Sequence, residues 1–210
     1  ANAVWAKPLS GGATLSLNAG LTYKESAGLR GLGTTGLILP DASPWSPFAG
    51  DVRLNRSLGE FGPLDDRSRN WTGHLGATAN GAWSDWNWSL TANFDHADAR
   101  SRNETGYDLA AVQARISGLD PLYNPYAALD ASQAGLLTNT SRSIANSGDA
   151  KLVVTGEPFS MPAGKASLTV TLGGKAIGLD SRSVRGGLVS AADLSRTEGN
   201  SQLSLDLPIA

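Results

Sequence analysis

From Ala13 to Tyr23 every second residue is apolar: Ala13, Leu15, Leu17, Ala19, Leu21 and Tyr23, with Thr14, Ser16, Asn18, Gly20 and Thr22 between them. Side chains of an extended chain point alternately to opposite faces, so a period of two predicts a strand. The pattern returns at Trp71–Trp83, Trp86–Phe94, Ala166–Gly174 and Leu203–Ile209, and less regularly at Ala150–Gly156. Six strands are predicted in all. One face of them carries Leu15, Leu17, Leu75, Leu90, Leu168, Val170 and Leu203, the other Ser16, Thr78, Thr91, Thr169 and Gln202.

The polar face is unusual for a sheet in water. Residues 13–23, 70–84, 86–94 and 166–174 hold no Asp, Glu, Lys or Arg, although 17% of the 210 residues are charged. Soluble sheets usually place Lys or Glu on their edges to discourage pairing with other chains. Here Ser, Thr, Asn and Gly take those positions.

Connections alternate in length. Tight turns are expected at Lys7–Gly12, Ser84–Asp85 and Phe159–Lys165, and long polar connections at Lys24–Arg69 and Ala97–Asp149, with a shorter one around Asp180–Thr197. Short and long links in strict alternation suit an up-and-down transmembrane barrel, which keeps its tight turns on one side of the membrane. The aromatic residues fit two interface belts: Trp5, Trp83, Trp86, Trp88 and Phe159 beside tight turns, and Tyr23, Trp71 and Phe94 beside long connections. The twelve residues from Trp71 to Trp83 rise about 28 Å at roughly 3.3 Å per residue and a tilt near 45°, close to the roughly 25 Å apolar band of such barrels. Indole rings favour the headgroup level, which gives the clustering a cause. The competing explanation is that these aromatics fill the core of a β-sandwich.

Several function classes are excluded or unsupported. The chain has no Cys, a net charge of −2 and no apolar run of 18 residues, so thiolate chemistry, a basic nucleic-acid surface and helical membrane spans are not expected. No Gly-x-Ser-x-Gly, phosphate-binding glycine loop or zinc-type His pair is present. The two histidines are His74, on the polar face, and His96, in Asp95-His96-Ala97-Asp98, where alternation throws His96 and Asp95 to opposite faces. No catalytic, cofactor or metal residue is therefore assigned.

Inside the long connections a helix is expected after Asp108 as N-cap, with Leu109, Val112 and Ile116 at helical spacing and Gly118 as its stop. Asn124-Pro125-Tyr126 reads as a turn, and Asp130 with Gln133 as a capping-box start. The first connection holds Trp45, Phe48 and Phe61, and it sets Arg53, Arg56, Arg67 and Arg69 against Asp51, Glu60, Asp65 and Asp66, an expected surface ion network.

From Trp83 to Ala210 the chain resembles the barrel of a TonB-dependent outer-membrane receptor of the α-proteobacterial, sphingomonad type. The carrying residues are Trp86-Asn87-Trp88-Ser89-Leu90, Asp120-Pro121-Leu122-Tyr123-Asn124-Pro125-Tyr126, Gly148-Asp149-Ala150, Phe159-Ser160-Met161-Pro162-Ala163-Gly164, and Ser181-Arg182-Ser183 leading to Leu205-Asp206-Leu207-Pro208-Ile209, in that order. The resemblance implies an all-β fold: an antiparallel up-and-down meander forming part of a transmembrane β-barrel, with long loops carrying short helices. It implies outer-membrane lipid as partner, a small-molecule ligand such as a ferric chelate, and TonB acting through a plug. No segment is read as plug or TonB box, so residues 1–210 are expected to be a partial barrel of a Gram-negative outer membrane, with ligand-binding residues unassigned. A secreted or surface β-sandwich binding module is the alternative, and an enzyme is not expected.

Overall fold

Residues 1–208 are described by the computed structural model. The alternating segments form the strands expected of them, and those strands run well beyond the alternation. In chain order they are β1 (Asn2–Pro8), β2 (Thr14–Leu32), β3 (Thr34–Leu39), β4 (Val52–Ser57), β5 (Pro63–Trp83), β6 (Trp86–Asp108), β7 (Gly135–Gly156), β8 (Ser160–Met161), β9 (Gly164–Lys165), β10 (Ser167–Arg185) and β11 (Leu188–Asp206). Seven of them make one antiparallel sheet in the order β1-β2-β5-β6-β7-β10-β11, a meander in chain order. The hairpins β3-β4 and β8-β9 stand apart from it. β1 and β11 are the two edges and do not pair with each other.

Three sequence expectations need correction. The sheet has seven strands rather than six, because Asn2–Pro8 pairs with β2 although its pattern is too short and mixed to stand out. Much of Lys24–Arg69 and Ala97–Asp149 is strand and not loop: β2 continues to Leu32, β5 starts at Pro63, β6 continues to Asp108 and β7 starts at Gly135. The expected connection at Asp180–Thr197 is a two-residue turn, Gly186-Gly187, between paired strands. Both glycines there have positive φ, 54° and 80°, the conformation a tight hairpin turn requires. Ile209 of the last predicted strand lies outside the described residues, and β11 ends at Asp206.

The sheet itself has almost no core. Buried apolar side chains gather where the two long connections meet: Leu37, Leu39, Leu58, Leu109, Val112, Ile116 and Leu129 form one cluster. The helix α1 (Ala110–Ser117) supplies Val112 and Ile116 from its inner face. The N-cap is Leu109 and not the expected Asp108, which lies one residue earlier with its Oδ1 accepting the Ala110 amide, and Gly118 closes the helix as expected. Asp130 caps the short turn Ala131–Gln133 through the Ser132 amide, and Asn124 holds the turn through the Tyr126 amide. The Gln133 side chain does not complete a capping box; the backbone N–H of Gln133 donates to the Asp130 carbonyl.

Polar stitches join the two connections. The Gln113 amide mimics a strand backbone against β3, accepting from Ile38 N at 2.9 Å and donating to Ile38 O at 3.0 Å. Arg56, largely buried, donates to Pro125 O and Ala127 O in the second connection and to Glu60 Oε1 at 2.7 Å in its own. Glu60 Oε1 also accepts the Leu129 amide at 3.0 Å. The Leu129 amide, then Glu60's own amide and the Arg56 guanidinium, hold the Glu60 carboxyl below the usual carboxylate range. Of the expected ion network, Arg67 pairs with Asp65, while Arg69 turns to Glu25 on the neighbouring strand.

Arg56→Met should weaken loop docking by about 2 kcal/mol, since it strands two carbonyls and a carboxylate at once. Glu60 has a depressed value when folded, so its contribution is full above the free-chain value of roughly 4.3 and is lost as pH falls through the lower folded value. Amide exchange of α1 should therefore be flat from pH 7 to about 5 after correction for intrinsic rates, then rise. Glu60→Gln should remove most of that rise.

Candidate functional site

The register decides which side chains share a face. Leu15, Ala79, Leu90, Leu152, Leu172 and Ser201 stand in one row across six strands, and Ser16, Thr78, Thr91, Lys151, Gly173 and Asn200 in the next, pointing the other way. Carried along the strands, this alternation puts every face assignment made from sequence where it was expected. Leu17, Leu75, Val170 and Leu203 lie on the leucine face, and Thr169 and Gln202 on the polar face.

The strand aromatics all project from the leucine face. Trp5 is opposite Leu17, Tyr23 opposite Trp71 with ring centroids 4.5 Å apart, Trp83 opposite Trp86, Trp88 opposite Gly81, and Phe94 opposite Leu75. Phe159 lies in the β7–β8 link, half-exposed, its carbonyl accepting the Ala166 amide at 3.0 Å. Two glycines serve as platforms for these rings: a Cβ at Gly156 would enter the Trp86 indole, and one at Gly81 would meet that of Trp88 at 2.8 Å. The indoles therefore lie flat across neighbouring strands.

Charge is divided between the faces as sharply as bulk. Between the Tyr23–Trp71 row and the Trp83–Trp86 row, the leucine face carries no Asp, Glu or Arg among the described residues, and its ionisable side chains there are Lys7, opposite Leu15 on the edge strand β1, and His96, opposite Gly73. Over the same span the polar face carries His74, Asp95, Asp149, Lys151, Lys175, Arg196 and Glu198. His74 Nδ1 meets Asp95 Oδ1 at 2.7 Å, Asn93 donates to Asp149 at 3.1 Å, and Arg196 pairs with Glu198. His96 sits on the opposite face from Asp95, with Nδ1 2.7 Å from Asn146 Oδ1, so the Asp-His-Ala-Asp run does not converge on one point.

The leucine face has nothing packed on it. Leu17, Leu21, Leu75, Leu90, Phe94, Leu172 and Leu203 are all exposed, Leu203 to 71%. Beyond the Tyr23–Trp71 row both faces become polar. A row of serines, Ser26, Ser68, Ser101, Ser141, Ser183 and Ser190, crosses six strands on the polar face, with Ser101 and Ser141 hydroxyls 2.8 Å apart. These serines and the arginines beside them carry no apolar alternation, so the sequence pattern does not mark them as strand.

No helix among the described residues is long and apolar enough to cross a membrane. No family model, curated protein or solved structure matches the chain.

The aromatic platforms are directly testable. Gly156→Ala should cost about 1–3 kcal/mol in a denaturant titration, as Trp86 is forced off its rotamer. Gly73→Ala, in the same sheet with open space around it, should cost less than about 1 kcal/mol.

Proposed function

We propose that this sheet is a sector of the wall of an outer-membrane TonB-dependent receptor that imports scarce nutrients such as ferric siderophores. The observation that carries the reading is the partition of charge. Over the depth between the two aromatic rows, seven ionisable side chains stand on one face, while the other, apart from His96 and the edge residue Lys7, offers mostly Leu, Val, Ala, Gly and Trp to whatever surrounds it. In water such an exposed apolar face is an aggregation liability. In lipid it is the outer surface of a barrel, with the charged face lining an aqueous interior.

Other features support the same reading. Rings of Trp and Tyr at both limits of the apolar band match the amphipathic preference of these side chains for the headgroup region. The strands extend well past the band on the side of the long connections, where β3, β4 and α1 form a structured cap. A receptor needs such a cap on the side from which its ligand arrives. A β-sandwich binding module would need a second sheet over Leu17, Leu75 and Leu90, and the exposure of those residues weighs against it.

Two measurements test this. Deleting the gene should reduce uptake of radioiron supplied as the organism's own ferric siderophores under iron starvation; unchanged uptake of these and of other scarce chelates would remove the receptor reading. In vesicle refolding of the intact protein, Leu17→Arg should cost about 2–4 kcal/mol and Ser16→Arg much less. Equal costs would remove the membrane assignment.

A further inference from the structure

Just beyond the Tyr23–Trp71 row, on the leucine face, Arg69, Arg100, Arg142 and Arg182 stand directly opposite one another on four successive strands. Glu25 continues the row on β2 and Ala191 on β11. Arg67 and Arg102 face each other in the next row outward on the same side. Like charges placed opposite across strands repel, at a spacing of roughly 4.8 Å, so this row needs compensation.

The protein compensates it only in part. Asp98, whose side chain is 15% exposed, lies beneath two of the arginines: Arg100 reaches it with Nε at 3.2 Å and a terminal nitrogen at 2.9 Å, Arg142 at 3.3 and 2.8 Å. One carboxylate thus serves two guanidiniums. Their side chains are about half-exposed, and each keeps N–H donors that no described residue uses. Arg69 is paired with Glu25. Arg182 makes no ion pair among the described residues. Arg100, Arg142 and Arg182 line one shallow cavity of about 410 Å³ together with Ile144, Val184 and a single acid, Asp180.

We infer that this cavity holds the phosphate of a membrane lipid headgroup, in the leaflet on the side of the long connections. The inference rests on the membrane reading above and adds a lipid specificity to it. The position favours a lipid over a soluble anion: the arginines stand one row outside the Tyr23–Trp71 row, Ile144 lies in that row immediately inward of Arg142 between Asp98 and Asp180, and the exposed Phe94 lies six residues inward of Arg100 on the same face. A headgroup phosphate on the guanidiniums would lay its acyl chains down that apolar surface. Guanidinium forks match phosphate oxygens in pairs, which suits arginine over lysine here.

The test uses the intact protein refolded into phosphatidylcholine vesicles doped with spin-labelled phosphatidylglycerol or spin-labelled phosphatidylcholine. The motionally restricted signal should favour phosphatidylglycerol by about fivefold or more, the effect of one or more arginines near an anionic surface. Arg182→Gln, which breaks no ion pair, should lower that preference, and Arg100→Gln/Arg142→Gln/Arg182→Gln should abolish it with the strand signal in circular dichroism retained. Lys151→Gln/Lys175→Gln, on the opposite face, should leave it unchanged. No preference in the wild type, or a preference that Arg182→Gln does not reduce, would overturn the inference while leaving the membrane reading standing. Loss of the preference to millimolar inorganic phosphate would overturn the lipid assignment in favour of a free-anion site. Failure to insert into vesicles would overturn the membrane reading and the inference with it.

Discussion

Continuous backbone pairing is the constraint on which everything else in this sheet depends. β5 and β6 pair residue for residue over their shared length, β6 and β7 do so from Trp86 to Glu104, and the register slips only at Leu29/Leu32 and Glu104/Gly106, both beyond the arginine row. A one-residue slip anywhere below would throw a whole strand's side chains to the other face. Lys151 would then join Leu15 and Leu90, and Leu152 would join Thr91. The unbroken register is therefore what allows charge and apolar bulk to be separated across all strands at once, and the lipid-facing and interior roles proposed here both follow from that separation.

The apolar band does not run straight along the hydrogen-bonded rows. Tyr23 and Trp71 mark its outer limit on β2 and β5 in a single row, but on β6 the limit is Phe94, opposite Leu75 and four residues inward from Trp71. On β7 Ile144 returns to the Tyr23–Trp71 row, and on β10 the limit is Leu172, which connects through Leu152 and Leu90 to Ala79. The apolar limit is therefore ragged from strand to strand, reaching the Tyr23–Trp71 row on β2, β5 and β7 and stopping short of it on β6 and β10.

The ragged limit also decides how much of the fold is legible in the sequence. Alternation of apolar with polar residues is legible only where one face is apolar, so the segments Ala13–Tyr23, Trp71–Trp83 and Trp86–Phe94 read as strands and their outward continuations as loops. The continuations keep the period of two in another alphabet: Arg67-Ser68-Arg69, Arg100-Ser101-Arg102, Ser141-Arg142-Ser143 and Ser181-Arg182-Ser183 alternate charge with hydroxyl. Gly186-Gly187 between Arg185 and Leu188 is a hairpin signal inside the polar run Asp180–Thr197 that otherwise reads as a connection. β1 does not stand out because seven residues with Lys and Pro at one end give too short a pattern. In the connections, by contrast, the helix after Asp108 and the Asn124 and Asp130 turns were legible, since caps and turns are written in local residues. What was not legible is that these pieces share a core, because Leu37, Leu58 and Val112 meet only through long-range folding.

The edges carry the argument one step further. β1 and β11 are exposed at every residue, and each has one row of backbone donors and acceptors without a partner strand. A strand that guards such an edge in water does so with charges that make a second strand unwelcome. Across the apolar depth β11 instead keeps Arg196 and Glu198 on the polar face and gives the other face to Leu205, Leu203, Ser201, Gly199 and Thr197, the same partition as the interior strands. An edge patterned in this way is suited to a further strand of the same kind. In lipid it would need one, because hydrocarbon offers nothing to the open N–H and C=O groups.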